Sequence, residues 1–323
     1  MMTVAVTGAS GFIGRHVVPL LLERGHHVRV LDRRSDPSRF APGVETITGD
    51  VTDAAAVARF VFGAEIVFHL AAVAHAQLVS SGDRQRAQAV NVGGAQNVLQ
   101  ASRKAGVRRV VLASSAHVYK GQCGFGISED APKHAENLYA QTKIETESLA
   151  LQAAADGMEV VIGRPCLTYG PNAAFNLAKL MRAIHRGYYF HIRSRKVTRS
   201  LCSAYTASRA FVHLAEKGIT REAYNISDRE PVDLADFVND IAARMKRRTP
   251  VAVPYSLLWC GAVACSPLKL IGREAPVSFA ALGKLAQSFA LDSSKLAASG
   301  FEWHRSDERA RQEMVDSYLA GAR

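Results

Sequence analysis

The sequence predicts an α/β protein: a doubly wound parallel sheet, followed by a smaller C-terminal α+β region. Two observations carry the sheet. Short apolar runs alternate with helix-length amphipathic segments through the first half, and the first strand runs straight into a glycine-rich turn. A third marks the second region, because the alternation stops after Arg164-Pro165 and polar, basic stretches take over.

Val4–Val6, Val28–Leu31, Val44–Ile47, Ile66–Leu70, Val110–Ala113 and Val160–Ile162 are short and apolar, as buried strands are. Between them Phe12–Arg24, Asp53–Phe60, Arg84–Ala105 and Glu136–Ala155 read as helices. Strand, helix, strand in repetition implies crossovers, so the sheet is parallel with helices on both faces. Such sheets bind ligands at the carboxyl ends of their strands. Further along, Phe175–Arg186, Asp233–Arg247 and Ala280–Phe289 predict helices, and residues 191–199 form a basic stretch. No low-complexity linker or internal repeat appears. Residues 1–168 and 169–323 are therefore expected as two partly interleaved regions with a cleft between them.

Composition narrows the function classes. With 48% hydrophobic and 21% charged residues, the chain has the make-up of a soluble globular protein with a substantial core. A net charge of +11 could meet nucleic acid, an acidic membrane or a small anion. The arginines are dispersed, and no zinc-finger spacing, RNA-binding aromatic motif or basic tail accompanies them, so no nucleic-acid partner is expected. Five cysteines without a CxxC pair point to reduced thiols and the cytoplasm. A strand is expected from the first residues onward, so no signal peptide is expected. The most apolar stretch, Leu257–Leu270, is too short to span a bilayer. It could touch a membrane surface; the favoured expectation is a buried helix of the second region. The 11 histidines show no paired spacing with acids, so no metal site is expected.

Thr7-Gly8-Ala9-Ser10-Gly11-Phe12-Ile13-Gly14 carries GxxGxxG spacing between a strand and a helix. Gly8 permits a tight bend, Gly11 lets backbone approach a pyrophosphate, and Gly14 lets the helix pack close to the strand. The helix N-terminus then offers N–H groups to phosphates. A lone glycine pattern marks only a tight turn. Here the next strand ends in Asp32, where a carboxylate would accept hydrogen bonds from the adenosine ribose. The combination predicts dinucleotide binding in a Rossmann-type fold. Asp32 favours NAD by repelling a 2′-phosphate, whereas Arg33, Arg34 and Arg39 could receive that phosphate and admit NADP. Asp50-Val51 follows the third strand; Asp50 could reach the adenine amino group or cap the next helix.

At this point the chain resembles the extended short-chain dehydrogenase/reductase family, in its UDP-glucose 4-epimerase-like, nucleotide-sugar branch. The resemblance rests on TGASGFIG (7–14), GDV (49–51), HLAA (69–72), NVGG (91–94), SSAHVY (114–119), EDAP (129–132), YAQTK (139–143) and RPCLTYGP (164–171). Arg199-Ser200 and LDSSK (291–295) match more loosely. It implies a catalytic set of Tyr139, Lys143 and Ser115. It implies a cofactor site of Gly8, Gly11, Phe12, Ile13, Gly14, Asp32, Arg33, Asp50, Val51, Leu70, Ala71, Ala72, Asn91, Ala113 and Pro165, together with Tyr139 and Lys143. It implies a nucleotide-sugar substrate met by Ser115, His117, Asn176 and Arg199, and a homodimer through helices 84–105 and 136–155. Tyr139 and Lys143 stand four apart on a predicted helix and so share a face. A free tyrosine titrates near ~10; a neighbouring ammonium and an oxidised nicotinamide would lower that value and make it a base.

The departures from the family are specific. Ala116 and His117 stand where sugar 4,6-dehydratases carry an Asp-Glu pair, which argues against dehydration. Lys120 replaces a glycine, and Ser203-Ala204-Tyr205-Thr206 replaces a run holding an acidic residue. Three functions follow in order: a C4 epimerase of a nucleotide sugar, a 4-ketoreductase of a nucleotide-linked deoxysugar, and a non-catalytic dinucleotide sensor. The intact Tyr-Lys pair argues against the last.

Overall fold

The first strands are β1 (Thr3–Thr7), β2 (His27–Asp32), β3 (Glu45–Thr48), β4 (Ile66–His69) and β5 (Arg109–Ala113). In this computed structural model all residues are described except 35, 74–81, 120–122, 174–175, 193–195, 266–282, 284–286, 305–306 and 322–323. After β6 (Gly124–Ile127) come β7 (Glu159–Pro165), β8 (Leu167–Tyr169), β9 (Phe190–Ile192), β10 (Thr198–Arg199), β11 (Leu201–Ser203) and β12 (Ala223–Ile226). Seven of these make one sheet in the order β12-β7-β5-β4-β1-β2-β3, parallel throughout. All six strands predicted from the sequence lie in it, each within a few residues of its expected bounds. The seventh, β12, comes from beyond residue 169.

The sheet is buried on both faces because its residues are apolar in both registers. Val4, Val6, Phe68 and Val111 face one core, closed by α1 (Gly14–Glu23). Ala5, Val67 and Val110 face the other, closed by α2 (Ala54–Val61), α4 (Gly94–Lys104) and α5 (Leu138–Ala155), with α3 (Asp83–Ala87) lying against α5. Local chemistry starts these helices where they start. Asp53 caps α2 by accepting from Ala55 and Ala56 N–H, and Asn137 caps α5 by accepting from Ala140 N–H. The predicted 84–105 helix is interrupted by a π turn at Gln88–Gly93. The periodicity of the sequence conceals that turn, which is built around buried Asn91.

The second half adds α6 (Asn176–His185), α7 (Ala204–Lys217), α8 (Leu234–Arg244) and α9 (Tyr255–Cys265). It ends with α10 (Ser294–Ala298) and α11 (Asp307–Gly321). The sequence reading missed α7, although Ser203 accepts from Thr206 N–H as its cap. Phe211 and Leu214 of α7 pack beside Val17 and Leu21 of α1. Leu177, Met181, Phe237, Ile241 and Met314 form a separate core among α6, α8 and α11. The remaining strands, β13 (Val232–Asp233), β14 (Val251–Val253) and β15 (Phe289–Leu291), belong to small sheets ordered β13-β10-β15-β6 and β14-β9, beside a β11-β8 pair.

Two expectations are corrected. Phe289, the end of the predicted helix at 280–289, opens strand β15, and most of the rest of that segment lies outside the described residues. The apolar helix near 257–270 forms as α9 but is not buried. Among its described side chains only Leu258 is covered. Among the described residues its support is small: Leu258 rests on Phe190, Ile192 and Val253, which belong to two three-residue strands. Residues 266–270 lie outside the described set. No described helix is long and apolar enough to cross a membrane.

Candidate active site

At the carboxyl end of the main sheet a cleft of about 420 Å³ opens between the glycine turn, the start of α5 and the segment after β7. Its glycine-turn end is built from backbone. Thr7 Oγ1 accepts the Ala71 N–H at 3.2 Å and is hydrogen-bonded to His69 Nδ1 at 2.9 Å, tying the end of β1 to the chain after β4. Burial, with the Lys143 charge adding to it, lowers His69 to about 3, so the ring stays neutral. Gly8 has φ +69°, and a Cβ there would come within 2.6 Å of Ala71 N. A Cβ on Gly14 would come within 2.2 Å of Gly8 O. Only glycine lets these backbones meet. Ile13, at the N-cap of α1, makes no side-chain cap, so the positive end of that helix is left for another acceptor. Gly8, Gly11, Phe12, Ile13 and Gly14 line the cleft with Leu70, Ala72, Ala113 and Pro165.

Asp32 is buried at the end of β2, accepting from Arg34 N–H at 2.9 Å and from Arg39 Nη1 at 2.8 Å. Arg33 reaches Asp50 at 4.0 Å. Two of the three arginines considered for a 2′-phosphate thus already have carboxylate partners. Asp50 accepts from Thr52, and the cap of α2 falls to Asp53. Buried Val51 lies against Gly94, where a Cβ would come within 2.7 Å of it. Asn91 does not line the cleft. Its amide accepts from Val73 N–H at 2.7 Å and donates to Thr142 Oγ1 at 3.0 Å, holding the chain after β4 against α5. The glycine cradle and the carboxylate at the end of β2 fit a dinucleotide.

The other end is built from side chains. Ser115, His117, Tyr139 and Lys143 all line the same cleft. Lys143 Nζ donates to the Ala113 carbonyl at 2.7 Å and stands 5.8 Å from the Tyr139 ring centre. Ser115 Oγ lies 3.1 Å from His117 Nδ1, and the His117 ring meets the Tyr139 ring edge-on at 5.7 Å. Burial raises the Tyr139 phenol above its ordinary value, and a hydrogen bond from Ser115 opposes the rise. The lowering expected from Lys143 does not act in the chain itself, where Ser115 is the group that opposes burial. Burial also brings the Lys143 ammonium down to about 8, with Glu147 opposing.

Glu147 was not singled out in the sequence, yet it anchors this end. It lies one turn beyond Lys143, fully buried. Arg164 grips it through Nε at 2.8 Å and Nη2 at 2.7 Å; Ser114 Oγ and Lys133 Nζ also donate to it. Burial would raise its carboxyl, but the Arg164 hydrogen bonds and charge, with Ser114 and Lys133, hold it below the usual range. Arg164 also donates to Tyr119 Oη and the Glu129 carbonyl. The network fixes Ser114 beside Ser115 and Arg164 beside Pro165. Its one sequence signal was a carboxylate four residues after Lys143.

The substrate side is mixed. Asn176 lines the cleft, as do Leu167, Thr168, Asn172 and Leu177, which sequence reasoning did not name. Asn172 takes φ 58°, a left-handed turn that its place after Gly170-Pro171 could have signalled. Cys166 is there too, but burial pushes its thiol well up, so it is no nucleophile at neutral pH. Arg199 sits instead on β10, paired across to Val232 and Phe289, and does not line this cleft. Among the described residues no cluster of His, Cys, Asp and Glu could hold a metal.

A parallel sheet with a glycine turn, an acidic residue closing its second strand and a Tyr-Lys pair over the same cleft defines an extended short-chain dehydrogenase/reductase. Residues 4–227 match the NAD dependent epimerase/dehydratase family, and the chain belongs to it. It is 33% identical over 261 residues to a 3 beta-hydroxysteroid dehydrogenase/Delta 5-->4-isomerase of Mycobacterium tuberculosis, covering 76% of this chain and 70% of that one. It is 27% identical to an N-acetyl-alpha-D-glucosaminyl-diphospho-ditrans,octacis-undecaprenol 4-epimerase of Escherichia coli, covering 92% and 89%. Its fold superposes on a UDP-glucuronic acid 4-epimerase from Bacillus cereus in complex with NAD, with a TM-score of 0.76 at 21% identity over 100% of both chains.

Proposed function

We propose that this protein is an NAD-dependent epimerase acting at C4 of a sugar carried on a diphosphate, as in a nucleotide sugar. The observation that carries the reading is the meeting of Ser115, Tyr139 and Lys143 over the cleft that also holds the glycine turn. When bound, NAD supplies the hydride acceptor and donor, held by the Gly8–Gly14 turn, Asp32 and Lys143. Tyr139 takes the proton of the C4 hydroxyl. In doing so the Tyr139 phenolate, stabilised until then by the Lys143 ammonium, becomes the neutral phenol, and Ser115 donates a hydrogen bond to the oxygen as it becomes a carbonyl. After the 4-keto sugar turns over to present the other face of C4, Tyr139 returns the proton to the C4 oxygen. The carboxylate partners of Arg39 and Arg33 support NAD over NADP.

A second reading has support of its own. The leucines at 70, 167 and 177 make part of the cleft apolar, and the Mycobacterium tuberculosis relative is a steroid dehydrogenase by name. In that reading the same residues carry out one net oxidation or reduction with exchangeable NAD(P)H, as a 4-ketoreductase also would. Denaturing the purified protein and identifying the released small molecule by mass spectrometry separates the two. Near-stoichiometric NAD, with interconversion of C4 epimers of a UDP-sugar and no added cofactor, supports the epimerase. A protein that releases nothing and turns over only with added NADH or NADPH overturns it in favour of net redox chemistry.

A further inference from the structure

Helix α9 has no charged side chain in its 11 residues, and its apolar side chains are not confined to one stripe. Leu257 is 62% exposed and Trp259 50% exposed. A helix that is apolar around its circumference is stable where a nonpolar medium meets it. Beneath it β9 and β14 run parallel, Phe190 beside Val251 and Ile192 beside Val253. At about 3.3 Å per residue these strands span only ~10 Å, roughly one Debye length. The turns that feed them carry exposed Arg186 on one strand and exposed Lys246, Arg247 and Arg248 on the other. Neither Asn176–Ile192 nor Arg244–Cys265 contains an acidic residue, while they hold three and four Lys or Arg respectively.

We propose that this face docks on an anionic lipid bilayer. α9 enters the interfacial layer with Trp259 at headgroup depth, and the flanking cations meet lipid phosphates. Charge complementarity decides the occupant: a second copy of a chain with net charge +11 would bring like charge against like charge at these turns. The docking surface is separate from the cleft, which none of Leu257, Trp259, Arg247 and Arg248 lines. It does not rest on the substrate proposed above.

The test is co-sedimentation of the full chain with vesicles of phosphatidylcholine alone and of phosphatidylcholine mixed with phosphatidylglycerol. Binding is expected on the mixed vesicles, weakened by raised salt. Arg247→Glu/Arg248→Glu and Leu257→Asn/Trp259→Ser should each weaken it roughly tenfold or more, with NAD content and turnover of soluble substrate unchanged. In a Trp303→Phe background, quenching of Trp259 by brominated acyl chains reports its insertion. No binding to mixed vesicles, or equal binding by both double variants, overturns the proposal. So does self-association abolished by Leu257→Asn/Trp259→Ser without vesicle binding, which would assign the face to a second copy.

Discussion

The two ends of the cleft are made of different materials. At the Gly8–Gly14 end, backbone packs on backbone, and side chains matter chiefly by their absence. At the Tyr139 end, the geometry depends on side chains reaching across the fold, with Glu147 joined to Ser114, Lys133 and Arg164 from three separate segments. The difference teaches where each end is vulnerable. A backbone end fails when atoms are added; a side-chain end fails when atoms are removed or charges lose their partners.

The largest effect should come from removing the reacting hydroxyl. Tyr139→Phe is expected to lower kcat by about 10³-fold or more while leaving NAD content and thermal midpoint near wild type. Full turnover by this variant on an identified substrate would show that the side-chain end does not do the chemistry. Glu147→Gln comes next. It leaves Arg164 without its buried partner, and a stability loss of about 3–5 kcal/mol is expected in denaturant unfolding. Because Glu147 opposes the burial that brings Lys143 to about 8, the alkaline limb of the pH–rate profile should also move to lower pH in any folded Glu147→Gln protein.

At the backbone end Gly8→Ala adds one methyl group where φ is +69° and Ala71 N is close. A loss of about 1–3 kcal/mol is expected, with weaker NAD retention read by mass spectrometry. An unchanged variant would break the contrast. The effect smallest at neutral pH tests the neutral imidazole behind that turn. The folded pKa of His69 is depressed to about 3, so between its ordinary value of 6.5 and 3 the unfolded chain binds the extra proton. Stability from this residue is therefore present above 6.5 and lost as pH falls, with a slope approaching ~1.4 kcal/mol per pH unit. His69→Gln should flatten that slope in acid unfolding curves.

The same contrast explains what could be read from the sequence. Strand-helix alternation and the glycine turn are contiguous, so the parallel sheet and the glycine-turn end of the cleft were legible in short windows. Tyr139 and Lys143 were legible because a helix brings residues four apart together. The Glu147–Arg164 network was not, since its members are 17 and 33 residues apart and only the fold joins them. Arg199 shows the converse: a matching residue in sequence whose strand leaves it away from the cleft. In α9, apolarity predicted burial, yet among the described side chains only Leu258 is buried, on Phe190, Ile192 and Val253.

Strand β12 carries one more consequence, for synthesis. It is the outermost member of the sheet on the β7 side, yet it is encoded after β8, β9, β10 and β11. A nascent chain that has emerged only as far as Pro165 has its glycine turn and Tyr-Lys pair but an open β7 edge. That edge stays unpaired until Ile226 leaves the ribosome, because Asn225 and Ile226 pair with Arg164 and Pro165. Until then it is a template for pairing with the wrong strand. Truncations ending before residue 226 should therefore collect in aggregates or on chaperones rather than as a small nucleotide-binding domain.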